Sequence, residues 1–221
     1  MRRKAGMVRF VVAATVFAAG VALADVPGVV VGAVALTPMQ PMPLAPGYNV
    51  HTKQPVAPAD APRAIVYLER DDGVYPPLTT PTPVGAIGQQ GYQFRPGVSA
   101  VRTGSEVVFP NHDDEFHSVF SYSRAKRFDL GRFRKDEQSP LITFDQPGVV
   151  KIYCEIHKHM RSLLLVLDTP WFTQTDADGN FTLAGVPPGD YRLRVFLPSE
   201  DTLEGHVTVV GGETVRADVA H

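Results

Sequence analysis

Cysteine is almost missing from this sequence. Among 221 residues there is one, Cys154. A single thiol cannot close a disulfide within the chain, so a disulfide-stabilised scaffold is excluded. In an oxidising compartment an isolated thiol also risks oxidation or pairing with another molecule. Cys154 therefore needs protection, either by deep burial or by coordination to a metal ion.

Long apolar runs are equally scarce, and the single extended one lies at the start of the chain. Basic residues precede residues 10–23, an almost purely apolar stretch of about 14 residues, whereas a membrane-spanning helix needs roughly 20. Ala22-Leu23-Ala24 then has the small side chains of a signal-peptide cleavage site. We predict that residues 1–24 are a cleaved signal peptide, that the protein is periplasmic, and that no membrane span remains after cleavage. An uncleaved membrane anchor is the alternative.

Neither sign of charge dominates the chain. Cleavage after Ala24 removes four of the 21 basic residues and none of the 23 acidic residues, which leaves a net charge of −6. Surfaces that bind nucleic acid carry an excess of Lys and Arg. The composition therefore gives no support for nucleic acid as a partner.

Helical periodicity is weak, and turn-forming residues are common. The chain contains 19 Gly and 20 Pro, and its apolar runs are short and rich in Val, as in strands. Turn signals recur at intervals of about 8–12 residues, which is typical of a sandwich or Greek-key barrel. The predicted fold class is all-β. Strands are predicted at 29–36, 64–69, 92–94, 98–101, 106–109, 117–123, 141–144, 149–154, 163–167, 181–183, 191–195, 204–210 and 213–219.

Composition also divides the chain into segments. The predicted segments are the signal peptide (1–24), an N-terminal strand with a Pro-rich linker (25–63), a main β domain (64–168) and a small β module (169–221). Four strands in about 50 residues make a marginal sheet on their own. We therefore expect the module to recruit the strands at 29–36 and 64–69.

The residues with the clearest chemistry follow a strongly β segment that ends at Cys154. Val150, Ile152 and Cys154 share one face of that strand, so the thiol points toward the core. A short loop then presents His157 and Met160. The spacing Cys-x2-His-x2-Met brings a thiolate, an imidazole and a thioether together from one loop.

A fourth ligand has to come from another strand, and His117 is the preferred candidate. It begins an alternating strand with Val119 and Ser121 on its side. His112 competes with it, but lies in a turn-like stretch that is expected to face solvent. Two imidazoles, a thiolate and a weak thioether suit copper cycling between Cu(I) and Cu(II). Zinc fits less well, because structural zinc sites rarely use Met.

Two other interpretations of Cys154 stay open. It could be an inert buried thiol beside an ordinary surface loop, or a nucleophile paired with a histidine. No nearby pattern indicates an oxyanion hole or an orienting acid, which disfavours the nucleophile. A four-ligand site also leaves no open position for a substrate, so we predict that the protein is not an enzyme.

The ligand loop resembles that of the cupredoxins, with the spacing of amicyanin rather than the longer loop of plastocyanin. Residues 64–196 also resemble a family of exported plastocyanin-like proteins, often described as methylamine-utilisation-related, that end in a carboxypeptidase-regulatory-like, transthyretin-like β module. The matching stretches are Phe94-x-Pro96-x-Val98, Val107-x-Phe109-Pro110-Asn111-x-Asp113, Lys126-Arg127-Phe128-Asp129-Leu130-Gly131, Asp168-Thr169-Pro170-Trp171-Phe172 and Asp176-x-Asp178-Gly179-x-Phe181.

The resemblance implies a cupredoxin Greek-key β-sandwich followed by a small transthyretin-like β-sandwich. It also implies one type 1 copper ion and one-electron transfer between redox protein partners, such as a cytochrome or a dehydrogenase, through the edge of His157. A copper carrier or chaperone and a structural envelope-binding protein are the alternatives. Two positions depart from the common pattern, since Ser118 stands where Asn is frequent and Lys158 where Pro is frequent. The implied copper ligands are His117, Cys154, His157 and Met160.

Charged and polar residues near these ligands are expected to form solvated surfaces. The acidic cluster 113–115 and the basic run 124–135 are predicted to face water, with steering of a redox partner as the alternative. His159 is expected to point outward; a weak second copper contact or part of an electron-exit surface is the other interpretation. Asp176-x-Asp178-Gly179-Asn180 resembles a calcium loop but lacks the downstream bidentate Glu, which favours a plain turn.

Overall fold

The computed structural model of the protein describes residues 26–36, 56–78, 84–135, 137 and 139–219. The predicted signal peptide and most of the predicted Pro-rich linker lie outside the described residues. Within the described ranges every regular element is a β-strand, as the sequence predicted. No helix there is long and apolar enough to cross a membrane.

Seventeen strands form in the described part of the chain. They are β1 (Gly28–Ala33), β2 (Ile65–Glu69), β3 (Val84–Ala86), β4 (Gly88–Gln89), β5 (Phe94–Arg95), β6 (Val98–Arg102), β7 (Ser105–Val108), β8 (His117–Tyr122), β9 (Arg127–Phe133), β10 (Ile142–Phe144), β11 (Gly148–Tyr153), β12 (Arg161–Leu167), β13 (Phe172–Gln174), β14 (Asn180–Val186), β15 (Gly189–Phe196), β16 (Thr202–Val209) and β17 (Thr214–Arg216).

These strands belong to two compact units. The described part of the first, here called the terminal unit, comprises residues 26–36, 62–75 and 169–219. The second, the central unit, comprises residues 56–61, 76–78, 84–135, 137 and 139–168. This division differs from the predicted domain start at residue 64, because β2 pairs with β13 and β15 of the terminal unit.

The terminal unit is a sandwich of two sheets, ordered β14-β1-β17 and β13-β2-β15-β16. Both early strands are internal: β1 lies between β14 and β17, and β2 lies between β13 and β15. One cluster of buried side chains fills the space between the sheets and includes Val30, Val66, Val186 and Leu193. The tail thus incorporates the two strands that it was expected to recruit, since without them each sheet would lack an internal strand.

The central unit is a second sandwich. A five-stranded sheet ordered β6-β12-β11-β8-β9 faces a three-stranded sheet ordered β10-β7-β3, and β4 and β5 form a small hairpin. The side chains of Phe109, Phe144, Ile152 and Leu164 are completely buried in its core. Burying each such side chain contributes about 1.5–3 kcal/mol, so this core holds the strands that carry the site in place.

Two local differences from the predicted strands matter for the site. Strand β9 was not predicted, although it pairs with β8 along the predicted ligand strand. The predicted strand 92–94 is wrong at Tyr92, which lies outside the strands with a φ of 59°. The physical cause is a tight turn between β4 and β5.

Candidate metal centre

The ligand loop predicted from the sequence is the connection of the β11–β12 hairpin. Cys154 directly follows β11, and its N–H donates to the carbonyl oxygen of Met160 over 3.4 Å. The Met160 N–H donates in turn to the His157 carbonyl oxygen over 2.8 Å. These two bonds close the loop and bring Met160, which directly precedes β12, back beside Cys154.

His117 reaches the same place from β8. Strands β8 and β11 are antiparallel neighbours, with Phe120 opposite Tyr153. The beginning of β8 therefore lies beside the end of β11 and the loop that follows it, which brings His117 close to the ligand loop. The register of β8 against β9 shifts just after His117, between Ser118 and Phe120, and such irregularities commonly re-aim side chains next to functional sites.

The three side chains converge in the interior of the central unit. The Nδ1 atoms of His117 and His157 are 3.0 Å apart, and the Cys154 Sγ lies 3.8 Å from the His157 Nδ1. One ligand atom from each residue lies within 4.8 Å of the other two. Relative exposure is 0% for His117, 3% for Cys154 and 6% for His157. Met160 is also fully buried, in the same hydrophobic cluster as Cys154.

The structure separates the two candidate histidines of the upstream segment. His117 belongs to the convergent group, whereas His112 is exposed and does not join it. Among the described residues this is the one group of three or more His, Cys, Asp and Glu side chains whose ligand atoms lie so close together. The three residues that the sequence singled out, His117, Cys154 and His157, therefore lie together in the structure.

The cluster favours the thiolate form of Cys154. Burial opposes ionisation, but hydrogen bonding with the imidazoles of His117 and His157 and with the Ser118 N–H outweighs it and lowers the thiol pKa to about 5. The Ser118 N–H lies 3.5 Å from the Cys154 Sγ. A thiolate, rather than a thiol, is the form that binds metals.

Ser118 ties the two ligand segments together. Its Oγ accepts a hydrogen bond from the Glu155 N–H at 2.7 Å, and its hydroxyl also lies 3.8 Å from the Cys154 Sγ. Asn is the common residue at this position in the family that the sequence resembles. The shorter Ser side chain here still makes a bond that joins β8 to the ligand loop.

The Asp113 carboxylate orients the His117 imidazole through its Nε2 atom. Its Oδ2 lies 2.9 Å from the His117 Nε2, which leaves the His117 Nδ1 facing His157. Burial lowers the pKa of His117, but hydrogen bonding with Cys154 and Asp113 outweighs it, so the net shift is upward. Burial also opposes ionisation of Asp113, and its bonds from Tyr92, Gly91 and His117 outweigh this and lower its pKa. A carboxylate on the distal imidazole nitrogen is a common support for a metal-binding histidine.

The sequence did not identify Asp113 as a separate residue within the acidic cluster. Its side chain is 11% exposed, whereas that of Asp114 is 70% exposed and pairs with Lys135 at 3.2 Å. The cause is a local turn in which the Asn111 Oδ1 accepts from the Asp113 N–H at 2.9 Å and turns that carboxylate inward. The predicted solvated face therefore applies to Asp114 and not to Asp113.

His159 also differs from its expected outward position. It is half-buried, and its Nε2 donates to the Tyr92 carbonyl oxygen over 3.0 Å. Its ring lies 6.1 Å from that of His157. Burial lowers its pKa.

In the terminal unit, the Asp176 Oδ1 accepts from the Asp178 and Asn180 N–H groups, which is the predicted plain turn.

Tyr92 lies against both imidazoles. Its ring centroid is 5.7 Å from that of His117 and 5.1 Å from that of His157, with interplanar angles of 87° and 79°. Its φ of 59° is left-handed, a region that costs a bulky residue about 1–3 kcal/mol. The sequence analysis placed Tyr92 in the predicted strand 92–94 and did not indicate this contact.

The donor atoms present fit a copper ion. A thiolate is a soft ligand, and imidazoles bind both Cu(I) and Cu(II). The convergent nitrogens are both Nδ1 atoms, while the Nε2 of His117 is engaged by Asp113. The arrangement can therefore present two imidazole nitrogens and one sulfur to a metal ion.

Comparisons with known proteins give one family match and a set of similar solved structures. A sequence profile of the carboxypeptidase regulatory-like domain matches residues 164–221. No curated protein matches the sequence. Among solved structures the chain is similar to cupredoxins. Amicyanin from Paracoccus versutus is 22% identical, with 39% of this chain and 84% of that chain covered and a TM-score of 0.35.

Two further solved structures are of the same kind. The purple cupredoxin from Nitrosopumilus maritimus is 20% identical, covering 37% of this chain and 98% of that chain, with a TM-score of 0.33. The reduced Cu(I) form of an amicyanin mutant is 19% identical, covering 38% and 81%, with a TM-score of 0.35.

Proposed function

We propose that this protein is a type 1 copper protein that carries single electrons between redox proteins. His117, Cys154 and His157 would be the strong ligands, and Met160 would supply a weaker thioether donor. The observation that carries the proposal is the buried His-Cys-His group, whose ligand atoms all lie within 4.8 Å of one another. When bound, copper supplies the one-electron couple between Cu(I) and Cu(II).

The protonation state of the group supports metal binding at neutral pH. With its pKa lowered to about 5, the Cys154 thiol is ionised without a metal ion being present. Ligand deprotonation is usually a cost of metal binding, and it grows as pH falls. Here hydrogen bonding with the two imidazoles and the Ser118 N–H lowers that cost at the Cys154 thiol.

The fixed positions of the ligands support electron transfer in particular. Ser118 is bonded to the Glu155 N–H and Asp113 to the His117 Nε2, so both ligand segments are held from outside the cluster. An electron carrier gains from such rigidity, because its ligands then move little between the two oxidation states.

Burial argues against the alternative of a copper carrier. Transfer of the ion to an acceptor requires incoming ligands to reach it, yet Cys154 is 3% exposed and Met160 is fully buried.

The proposal also includes no enzymatic activity, because a fourth donor from Met160 would leave no position for a substrate. Electron transfer needs only close approach of a partner, which we propose to be a cytochrome or a dehydrogenase.

Redox cycling in the presence of a competitor tests this function. The copper-loaded protein would be reduced with ascorbate and reoxidised with ferricyanide over several cycles, with a Cu(I)-specific chelator in solution. We expect the protein to keep its copper and recover its full optical spectrum in each cycle. Transfer of the ion to the chelator in the first reduction would contradict the electron carrier and favour the copper carrier. His112→Ala is the matched control, because His112 is an exposed histidine outside the cluster.

Export to the periplasm is part of the same proposal. It rests on the basic and apolar sequence of residues 1–24 and on the small residues before Asp25. N-terminal sequencing of the protein from a periplasmic extract is expected to begin at Asp25. Recovery of the intact N-terminus from the membrane fraction would favour an uncleaved anchor instead.

A further inference from the structure

The turn that carries Tyr92 breaks a rule of turn chemistry. Gln90 and Gln93 pair through two backbone hydrogen bonds, of 2.9 and 3.3 Å, so the loop between them has two residues, Gly91 and Tyr92. Both have positive φ, 63° and 59°, as a type I′ turn requires. Gly is the favoured residue at the second position of such a turn, and a large aromatic residue there is strained.

The surrounding structure holds Tyr92 in this conformation. The two carboxylate oxygens of Asp113 accept hydrogen bonds from the Gly91 N–H at 2.7 Å and the Tyr92 N–H at 2.9 Å. On the other side, the Tyr92 carbonyl oxygen accepts from the His159 Nε2. The same Asp113 also contacts His117, so the turn and the ligand are fixed by one side chain.

The strained conformation has a specific result, which is the position of the ring. The Tyr92 side chain is 2% exposed and contacts His117 and His157 edge to face. No other aromatic residue among those described has ring contacts with both histidines. Backbone strain that persists next to a functional group indicates that the conformation serves that group.

We propose that Tyr92 is the cover of the metal pocket, with its ring held over both imidazoles by the Gly91–Tyr92 turn so that their orientation is fixed and Cys154 is shielded from solvent. Tyr92 is thus a positioning residue and not a ligand. That the covered site binds a metal rests on the proposed copper function. The shielding of the Cys154 thiol does not, and it can be measured without metal.

The turn offers a variant that removes the ring without disturbing the backbone. Tyr92→Gly places the favoured residue at the second turn position, so the hairpin is expected to form at least as well as before. Tyr92→Phe keeps the ring and is the matched control. Tyr92→Asn is a second ring-free variant, because Asn tolerates the left-handed region.

The first measurement is the rate at which a thiol reagent, Ellman's reagent, modifies Cys154 in metal-free protein at fixed pH. Cys154 is the one thiol in the chain, so the signal is unambiguous. We expect Tyr92→Gly and Tyr92→Asn to react about tenfold faster than the wild type, and Tyr92→Phe to stay within about twofold, because the lost ring contacts have protected the closed pocket.

The results divide clearly. Equal rates for the wild type and both ring-free variants would overturn the proposal, and so would an equally fast reaction of Tyr92→Phe, since the ring would then not be the protecting group. Loss of folding in both ring-free variants, seen by circular dichroism, would also overturn the proposal, because the buried ring would then be needed to hold the core together rather than to cover the metal pocket. If copper binds, release of copper to a chelator should also be about tenfold faster without the ring. If the wild type binds no copper, the proposed function fails while the thiol measurement still decides the role of Tyr92.

Discussion

Replacement of Asp113 by Asn is the most informative test of how the site is built. The Asp113 carboxylate contacts the Gly91 N–H at 2.7 Å, the Tyr92 N–H at 2.9 Å and the His117 Nε2 at 2.9 Å, and its side chain is 11% exposed. Asn has one acceptor oxygen where Asp has two, so at least one of these donors loses its partner and faces an NH2 group instead.

The expected cost follows from the energies of such bonds. A hydrogen bond to a charged group contributes about 1.5–3 kcal/mol, and a buried donor without a partner costs about 1–3 kcal/mol. We therefore expect Asp113→Asn to lower the free energy of unfolding of the central unit by about 2–3 kcal/mol. With a urea m-value of about 2 kcal/mol/M, the midpoint falls by about 1–1.5 M.

The assay uses the single thiol of the chain as its probe. Exposure of Cys154 in urea, detected with a thiol reagent on metal-free protein, reports unfolding of the central unit. Asp114→Asn is the control, because Asp114 is the adjacent carboxylate, 70% exposed, and its surface ion pair with Lys135 contributes below about 0.5 kcal/mol. Equal losses of stability for Asp113→Asn and Asp114→Asn would refute the reasoning that one inward carboxylate organises the turn and the ligand.

Three further predictions concern other parts of the molecule. The ultraviolet absorbance of the Cys154 thiolate is expected to titrate near pH 5 in the folded, metal-free protein, against an ordinary pKa of 9.0. Because the folded-state pKa is the lower one, the stability that this group contributes is present above the unfolded pKa and is lost as pH falls through about 5. A folded-state midpoint near 9 would contradict the clustered geometry. Ser118→Ala removes the acceptor of the Glu155 N–H, so the thiol-detected free energy of unfolding should fall by about 1 kcal/mol, and no change would mean that this bond does not brace the loop. Leu193→Ala removes a buried side chain from the core of the terminal unit and should lower the free energy of unfolding by about 2–4 kcal/mol, measured by tryptophan fluorescence. Thr182→Ala, at an exposed position, should change it by no more than about 0.5 kcal/mol. A similar effect of both variants would argue against the described core.

The sequence predicted most of the strands whose residues are apolar and β-branched. Strands β11 and β12 are examples, because their Val, Ile and Leu side chains pack on a core and give the expected pattern. Strand β9, with the sequence RFDLGRF, was missed because its charged residues face water and its partner is set by β8. Tyr92 was assigned to a strand because an aromatic residue favours strands, whereas the hairpin and Asp113 force it into a turn.

The site was predictable where local spacing determines it. Cys154, His157 and Met160 lie in one hairpin loop, so their separation along the chain already brings them together. His117 required an argument about strand alternation, which its complete burial matches. The supporting residues required the fold. The sequence placed Asp113 in a matching stretch and in the acidic cluster, but it did not show that this carboxylate turns inward to His117. The contact of Tyr92 with the histidines depends on a turn far away along the chain.

The most direct test of the central claim is a titration of the purified protein with Cu(II), followed by optical absorption and electron paramagnetic resonance. The proposed site predicts one bound copper per chain, an intense thiolate-to-copper charge-transfer band and narrow copper hyperfine splitting. These signals should disappear in Cys154→Ser and His117→Ala and persist in His112→Ala. A pale spectrum typical of ordinary Cu(II) sites, or a blue spectrum that survives Cys154→Ser, would contradict the claim.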